Sequence, residues 1–537
     1  MGTGSEQEFD YIVVGAGSAG CVVANRLSAD PGNRVLLLEA GPKDTYPWLH
    51  IPVGYFKTIH NPRSDWCYET EPDPGVNNRV IKWPRGRVLG GSSALNGLLY
   101  IRGQKEDYND WRQLGNEGWS YDDVLPYFKK SEDQERGAND YHATGGPLKV
   151  ANMRFSRPIC DSFVDACVEL GIPKNDDFNG SDQEGAGYFQ LNTHKGLRWS
   201  SATAFLKPVK DRSNLTVVTD TLVRGIRFEG KKAVSVDTDV DGVRQGFKAR
   251  KEIVLSAGAI GSPQILTLSG IGGGETLQKL DIPVLSDLPG VGENMQDHLQ
   301  IRCIYKTVEP TLNDEVNNPL RKVLIGLQFV LQRTGPMTMA ASQVCAFTKS
   351  RPGLDRPDIQ YHVQPLSADS PGEGLHRFSA FTASVCQLRP ESRGRIDVIS
   401  PDPRVYPKIY ANYLDSPVDQ QVAVDAMKLT RRLTETKSLA KHIAEHLRPG
   451  RDVQTDEQFL DAARTLGTTI YHPTSTCKMG SDPMAVVDQR LRVHGVTGLR
   501  VADASIMPNI VSGNTHAPAV MIGEKVSDMI LEDARGG

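Results

Sequence analysis

Gly15, Gly17 and Gly20 stand in the spacing G-x-G-x-x-G, and Glu39 follows about 20 residues after the last of them. Those types at that spacing suit a dinucleotide. Gly15 permits a tight strand-to-helix turn, Gly17 lets a pyrophosphate approach the backbone, and Gly20 lets the helix pack closely on its sheet. A helix opening there offers unpaired N–H groups and partial positive charge to phosphates. Glu39 is placed to accept hydrogen bonds from a ribose diol and would repel the 2′-phosphate of NADP. The motif alone leaves NAD and FAD open. A second stretch, Gly90-Gly91-Ser92-Ser93, is small and rich in donors. Either its N–H groups meet a flat or anionic ligand edge, or it is a turn before a helix.

The elements that must hold these residues are legible around them. Tyr11, Ile12, Val13 and Val14 form an apolar run of buried-strand type; Cys21, Ala24 and Leu27 share a helical face; 34–38 is a second β-rich run closed by Glu39. Residues 42–82 read as a long, partly irregular excursion. Helices are expected in 104–149 and over 161–170, and strands over 215–220, 233–240 and 252–256, the last leading into a helix over 264–269. Residues 300–460 change texture. Strands over 359–363, 381–388 and 395–399, with helices near 320–332 and 417–436, predict a second domain with an antiparallel sheet. The helix 322–332 is strongly apolar and is expected to cover that domain, with a membrane-surface or dimer contact as the alternative. A strand over 499–505 ends in an acid, and a helix follows over 520–531 with Pro518 in its first turn and Asn514 or Thr515 near its cap.

Composition excludes several function classes. The chain has 537 residues, 23% charged, with a net charge of −4 and its Lys and Arg scattered, which gives nucleic acid no basic patch. The start MGTGSEQEFD lacks the basic and apolar regions of a signal peptide, and no apolar run approaches the ~20 residues of a membrane span. A cytoplasmic protein is expected, membrane-associated at most on the inner face. The 8 cysteines are dispersed without metal-binding spacing and read as reduced, structural thiols.

Four ordered motifs then carry a resemblance over essentially the full length. They are GAGSAG with Glu39, GRVLGGSSALNGLLYIRG from Gly86, GAIGSPQILTLSGIG from Gly258, and the C-terminal pair YHPTSTCKMG and DASIMPNIVSGNTHAPAVMIGEK. The chain resembles the glucose–methanol–choline (GMC) family of FAD-dependent oxidoreductases, in its bacterial alcohol and choline dehydrogenase branch. The resemblance implies an α/β fold: a Rossmann-like FAD-binding domain over 6–150, 198–300 and 465–537, and a smaller α+β substrate domain with an antiparallel sheet over 151–197 and 301–464. It implies FAD as cofactor. Gly15, Gly17, Ser18, Ala19, Gly20, Glu39 and Ala40 would hold its ADP half, and Val223 would meet the adenine. Val88, Gly91, Asn96, Gly97, Leu98 and Leu99 would lie along the isoalloxazine and ribityl, with Tyr471, Asp503 and Ala504 as further contacts. The helix opening near Pro518 would turn its N-terminus toward the flavin. Some members bond the flavin through a histidine just before the asparagine; that position is Leu95, so the FAD is expected to be non-covalent.

By the same resemblance His472 takes the hydroxyl proton of a primary alcohol while hydride passes to flavin N5, and His516 hydrogen-bonds the developing alkoxide. His50, His60, His142, His194, His376, His442 and His446 are read as surface or satisfied core residues, and His298, in VGENMQDH, as structural. Electrons would pass to a quinone or other carrier. An oxidase using O₂ is the alternative, and a flavin-containing non-redox lyase the alternative of another class. The expected partners are a small alcohol and an electron acceptor, with an oligomer left open. No cluster for a choline-like cation is visible, and substrate-pocket residues are not placed.

Overall fold

A computed structural model describes residues 7–240, 242–370, 372 and 374–536. The first strand, Gln7–Val14, is buried along the run FDYIVV and pairs in parallel with Val35–Leu38 on one side and Val243–Leu255 on the other. Leu215–Val218 extends the sheet beyond Val35–Leu38, and Leu499–Val501 pairs in parallel with the end of Val243–Leu255. Thr221–Glu229 and Lys232–Val240 add an antiparallel flap. Strands buried on both faces give the continuous apolar runs read in the sequence.

The helix Ser18–Leu27 begins straight after the glycine turn, where Gly15 has φ +97°. A Cβ on Gly20 would lie 1.9 Å from the Gly15 carbonyl oxygen, so only glycine permits this approach of helix to turn. The C-terminal helix, His516–Gly536, packs against it. It starts at His516, so Pro518 lies in its first turn and Thr515 directly precedes it, as the sequence pattern expects. The helix Gly258–Leu268 begins ahead of the expected 264, with Pro263 inside it.

The second sheet is antiparallel. Its order is Ile443–Arg448, Leu299–Thr307, Ala380–Gln387, Ile359–Gln364, Val344–Thr348 and Gly185–Tyr188, with Gly467–Thr469 also paired to Leu299–Thr307. Alternation sorts its residues. Ile301, Cys303, Tyr305, Tyr361, Val363, Ala383 and Val385 join the core under the helices Pro158–Glu169, Pro417–Thr434 and Asp456–Leu466. Their neighbours along each strand face the other way. The expected strand at 395–399 is Arg395–Asp397, which pairs with Lys408–Tyr410 in a separate ribbon instead of joining this sheet.

The helix Pro319–Gln332 corrects an expectation. Phe329 is its sole buried residue, while Leu320, Val323, Leu324, Leu327, Val330 and Leu331 are exposed, Leu320 and Leu331 at 78%. The apolar stripe that suggested a domain-covering helix points outward. Among the described residues no helix is long and apolar enough to cross a membrane, and all eight cysteines are free, seven of them buried.

Candidate active site

A cavity of about 310 Å³ is lined from both sheets. Gly15, Gly17, Ser18, Ala19, Glu39 and Ala40 line one part; Gly91, Asn96, Gly97, Leu98, Leu99 and Val223 another; Tyr471, His472, Asp503, Ala504 and His516 a third. Gly20, Val88 and Pro518 stand behind the wall. Gly20 meets the turn, Val88 is buried under Gly41, and Pro518 lies in the first turn of the C-terminal helix, where Ala519 reaches the cavity instead.

The residues present suit FAD. Gly91 has φ +53°, and a Cβ there would lie 2.7 Å from Gly17 Cα, so the two glycine loops meet without side chains between them. Glu39 accepts hydrogen bonds from the backbone N–H of Ala16 (2.9 Å) and Gly41 (2.8 Å). Burial nevertheless pushes its carboxyl up to about 7, and donors from a diol would offset that cost. Asp503 is fixed by the N–H groups of Gly258 and Ser505 and by the Ser262 hydroxyl. Leu95 lines the cavity and carries no atom able to bond a flavin.

His472 is held by its backbone. The Ile470 N–H donates to the His298 carbonyl (3.0 Å) and the Thr474 N–H to that of Gln296 (2.9 Å), so 470–474 runs beside 296–298. Asp297 accepts from the His472 N–H (2.7 Å), the Thr469 hydroxyl (2.6 Å) and the Tyr413 hydroxyl. Arg85 donates to the Tyr471 carbonyl (2.6 Å), holding Tyr471 at φ +72°. A non-glycine residue in that region is strained, and such strain clusters at functional sites.

This pairing sets the protonation of the His472 ring. His298 Nε2 lies 2.9 Å from the Leu388 carbonyl, which can only accept, so Nε2 carries the proton. Burial pulls the His298 ring down to about 4, so it is neutral at pH 7 and its Nδ1 is a lone pair. His472 Nδ1, 3.0 Å away, must therefore donate to it. Burial, and then the fields of His298, His362 and Arg85, hold His472 well below the usual histidine range. With its single proton on Nδ1, His472 keeps Nε2 as a lone pair, which accepts from the Asn514 amide at 3.1 Å. Gln360 in turn donates to Asn514 Oδ1 (3.4 Å).

His516 is brought to the same cavity without touching His472 Nε2. Its Nδ1 is 2.9 Å from the Ser18 hydroxyl, beside the glycine turn. Burial, with the Arg198 guanidinium second, holds it down to about 4. The atoms against His472 are those of His298 and Asn514. Sequence reasoning gave His298 a structural part and Asn514, or Thr515, a place near the helix cap; the seats of His298 and Asn514 in motif-like segments were the available signal.

Two family models described as GMC oxidoreductase match residues 9–300 and 390–523. The chain is 44% identical to the mitochondrial choline dehydrogenase of Mus musculus, covering 98% of this chain and 90% of that one. It is 42% identical to the alcohol dehydrogenase [acceptor] of Pseudomonas putida, over 97% and 96%. The crystal structure of pyridoxine 4-oxidase from Mesorbium loti superposes with a TM-score of 0.88 at 31% identity, over 97% and 98%. With a nucleotide cleft, an unprotonated imidazole nitrogen inside it and these relatives, the chain belongs to the GMC oxidoreductase family, whose members act on CH–OH groups.

Proposed function

We propose that this FAD enzyme oxidises a primary alcohol to the aldehyde with His472 as the base, and passes the electrons to a quinone or other carrier. The observation that carries this is the bare Nε2 of His472, held unprotonated in the cavity by the His298 partnership. Bound FAD supplies the hydride acceptor. The protein's own residues do the rest. The substrate hydroxyl displaces the Asn514 amide from Nε2 and donates its proton there. Asn514, released, and His516 Nε2 become donors for the oxygen as negative charge develops on it. Once His472 is charged, its Nδ1–H to His298 becomes a charge-assisted bond, about twice as strong as before. Gly15, Gly17, Ser18, Ala19, Gly20, Glu39 and Ala40 would hold the ADP half, with Val223 at the adenine. Val88, Gly91, Asn96, Gly97, Leu98, Leu99, Tyr471, Asp503, Ala504 and Pro518 would surround or support the flavin, bound non-covalently past Leu95. Anaerobic addition of primary alcohols to the FAD-loaded protein should bleach the flavin, and aerobic turnover should release little peroxide. No bleaching would remove alcohol oxidation; stoichiometric peroxide would make the protein an oxidase.

The outward face of Pro319–Gln332 favours contact with a lipid surface. Its six exposed apolar side chains fall within roughly 120° of the helix at 3.6 residues per turn. Arg321, Lys322 and Arg333 are exposed beside them, and the helix has no acid. Two copies of this face would oppose like charges, whereas anionic headgroups complement them. Holoenzyme should sediment with vesicles of equal parts phosphatidylglycerol and phosphatidylcholine, and a Leu324→Glu/Leu327→Glu variant should not. Equal recovery of both proteins in the supernatant would refute the contact.

A further inference from the structure

The cavity wall contributed by the antiparallel sheet holds a charge that the chemistry above does not use. Arg302 lies on Leu299–Thr307, is 7% exposed and lines the cavity, and its Nε has no hydrogen-bond partner. In the sheet register Arg302 stands directly opposite Ser384, and Ser384 directly opposite His362. Residues directly opposite share a face. The Ser384 hydroxyl and His362 Nε2 are also buried without partners. One row across the sheet thus carries a guanidinium, a hydroxyl and an imidazole, all unsatisfied, with Arg302 and His362 at the cavity surface.

Buried polar groups are nearly always paired, and an unpaired buried charge is costlier than a neutral group. Asp369, whose charge reaches Arg302, is already taken by Arg448 (2.7 Å) and His376 (3.2 Å). Burial holds His362 down to about 3, so it stays neutral and can donate one hydrogen bond, as the Ser384 hydroxyl can. Donors in a row with one fixed cation match a carboxylate, which accepts through two oxygens. The same charge opposes a quaternary ammonium. Arg302 lies four residues along the chain from His298, which directly precedes the strand, roughly 14 Å at the rise of an antiparallel strand. Arg302 therefore holds the anion away from the carbon beside His472, with His362, whose field reaches His472, on the nearer side.

We propose that Arg302, with His362, binds the carboxylate of an alcohol substrate, making the preferred substrates ω-hydroxy acids and excluding choline. This rests on the alcohol-oxidising reading of the same cavity.

The test uses the FAD-loaded full chain. Straight-chain ω-hydroxy acids should bleach the flavin anaerobically with a rate-to-affinity ratio at least tenfold above their methyl esters and above choline. In Arg302→Met the acid-to-ester ratio should collapse toward one, and Arg302→Lys should keep part of it. Equal use of acid and ester by the unaltered protein, preference for choline, or an undiminished ratio in Arg302→Met would overturn the proposal. Titration with hexanoate, which has no hydroxyl to oxidise, separates the two readings. It should perturb the flavin spectrum of the unaltered protein and not that of Arg302→Met. If no alcohol bleaches the flavin, the oxidation reading fails, and the hexanoate titration still decides for or against Arg302. Arg302→Met should melt no lower than the unaltered protein, since it removes an unpaired buried charge; a clear drop would make Arg302 structural and refute the subsite.

Discussion

Replacing His298 with leucine removes the acceptor that fixes the His472 tautomer while leaving His472 in place. At rest the Nδ1–H bond of 3.0 Å joins two neutral rings, a bond worth about 0.5–1.5 kcal/mol. Once His472 holds the substrate proton the donor is charged, and such bonds contribute about 1.5–3 kcal/mol. The gain of about 1–1.5 kcal/mol develops along the proton transfer and is lost in His298→Leu. The freed ring can also place its proton on Nε2, the atom that must be bare, which costs about 1 kcal/mol more in active population. The total, about 2–2.5 kcal/mol, corresponds to flavin reduction roughly 30- to 70-fold slower. Anaerobic stopped-flow reduction at saturating alcohol reads this directly, with FAD content measured in parallel. His298→Gln keeps an acceptor oxygen and should stay within about fivefold of the unaltered rate. Leucine reducing as fast as histidine, or glutamine as slow as leucine, would refute the tautomer-setting role.

Other outcomes follow from the same geometry. Burial holds His298, His516 and His362 down to about 4, 4 and 3, against about 6.5 for an ordinary histidine. Below that value the unfolded chain binds more protons, so stability should fall as pH drops from about 6.5 toward 4, at about 1.4 kcal/mol per unit for each histidine. Urea midpoints across this range check it, and a flat profile contradicts it. Because His472 is held neutral well below 6.5, flavin reduction should show no acid limb between pH 6 and 7. A limb centred there in single-turnover kinetics would mean that the ring is not desolvated. Gly91→Ala forces a Cβ against Gly17 at a positive φ. Its FAD affinity should drop by about tenfold or more for about 1–3 kcal/mol of strain, read by fluorescence titration of the apoprotein.

Local devices were the legible part of this fold. The strand Gln7–Val14, its glycine turn and the helix Ser18–Leu27 are specified within a few residues of one another, and the sequence pattern places them. His472 and His516 were found through their motifs, and the structure sets both in one cavity. The His298–His472 contact joins residues 174 apart and depends on the pairing of 296–298 with 470–474, which no local pattern reveals. Arg302, Ser384 and His362 meet through strand register. Polar residues alternating in a strand read as a solvent face, whereas here that face is the cavity wall. Pro319–Gln332 failed for the opposite reason. An amphipathic stripe has the same period whether it faces a core or the outside, so the pattern could not say which.

In the proposed reaction His472 Nε2 removes the alcohol proton. Anaerobic single-turnover reduction of His472→Ala, loaded with FAD, tests it most directly. The variant should bind FAD as the unaltered protein does and reduce it slower by about two to four orders of magnitude, the usual worth of a positioned base. Near-normal reduction in that variant would contradict the account.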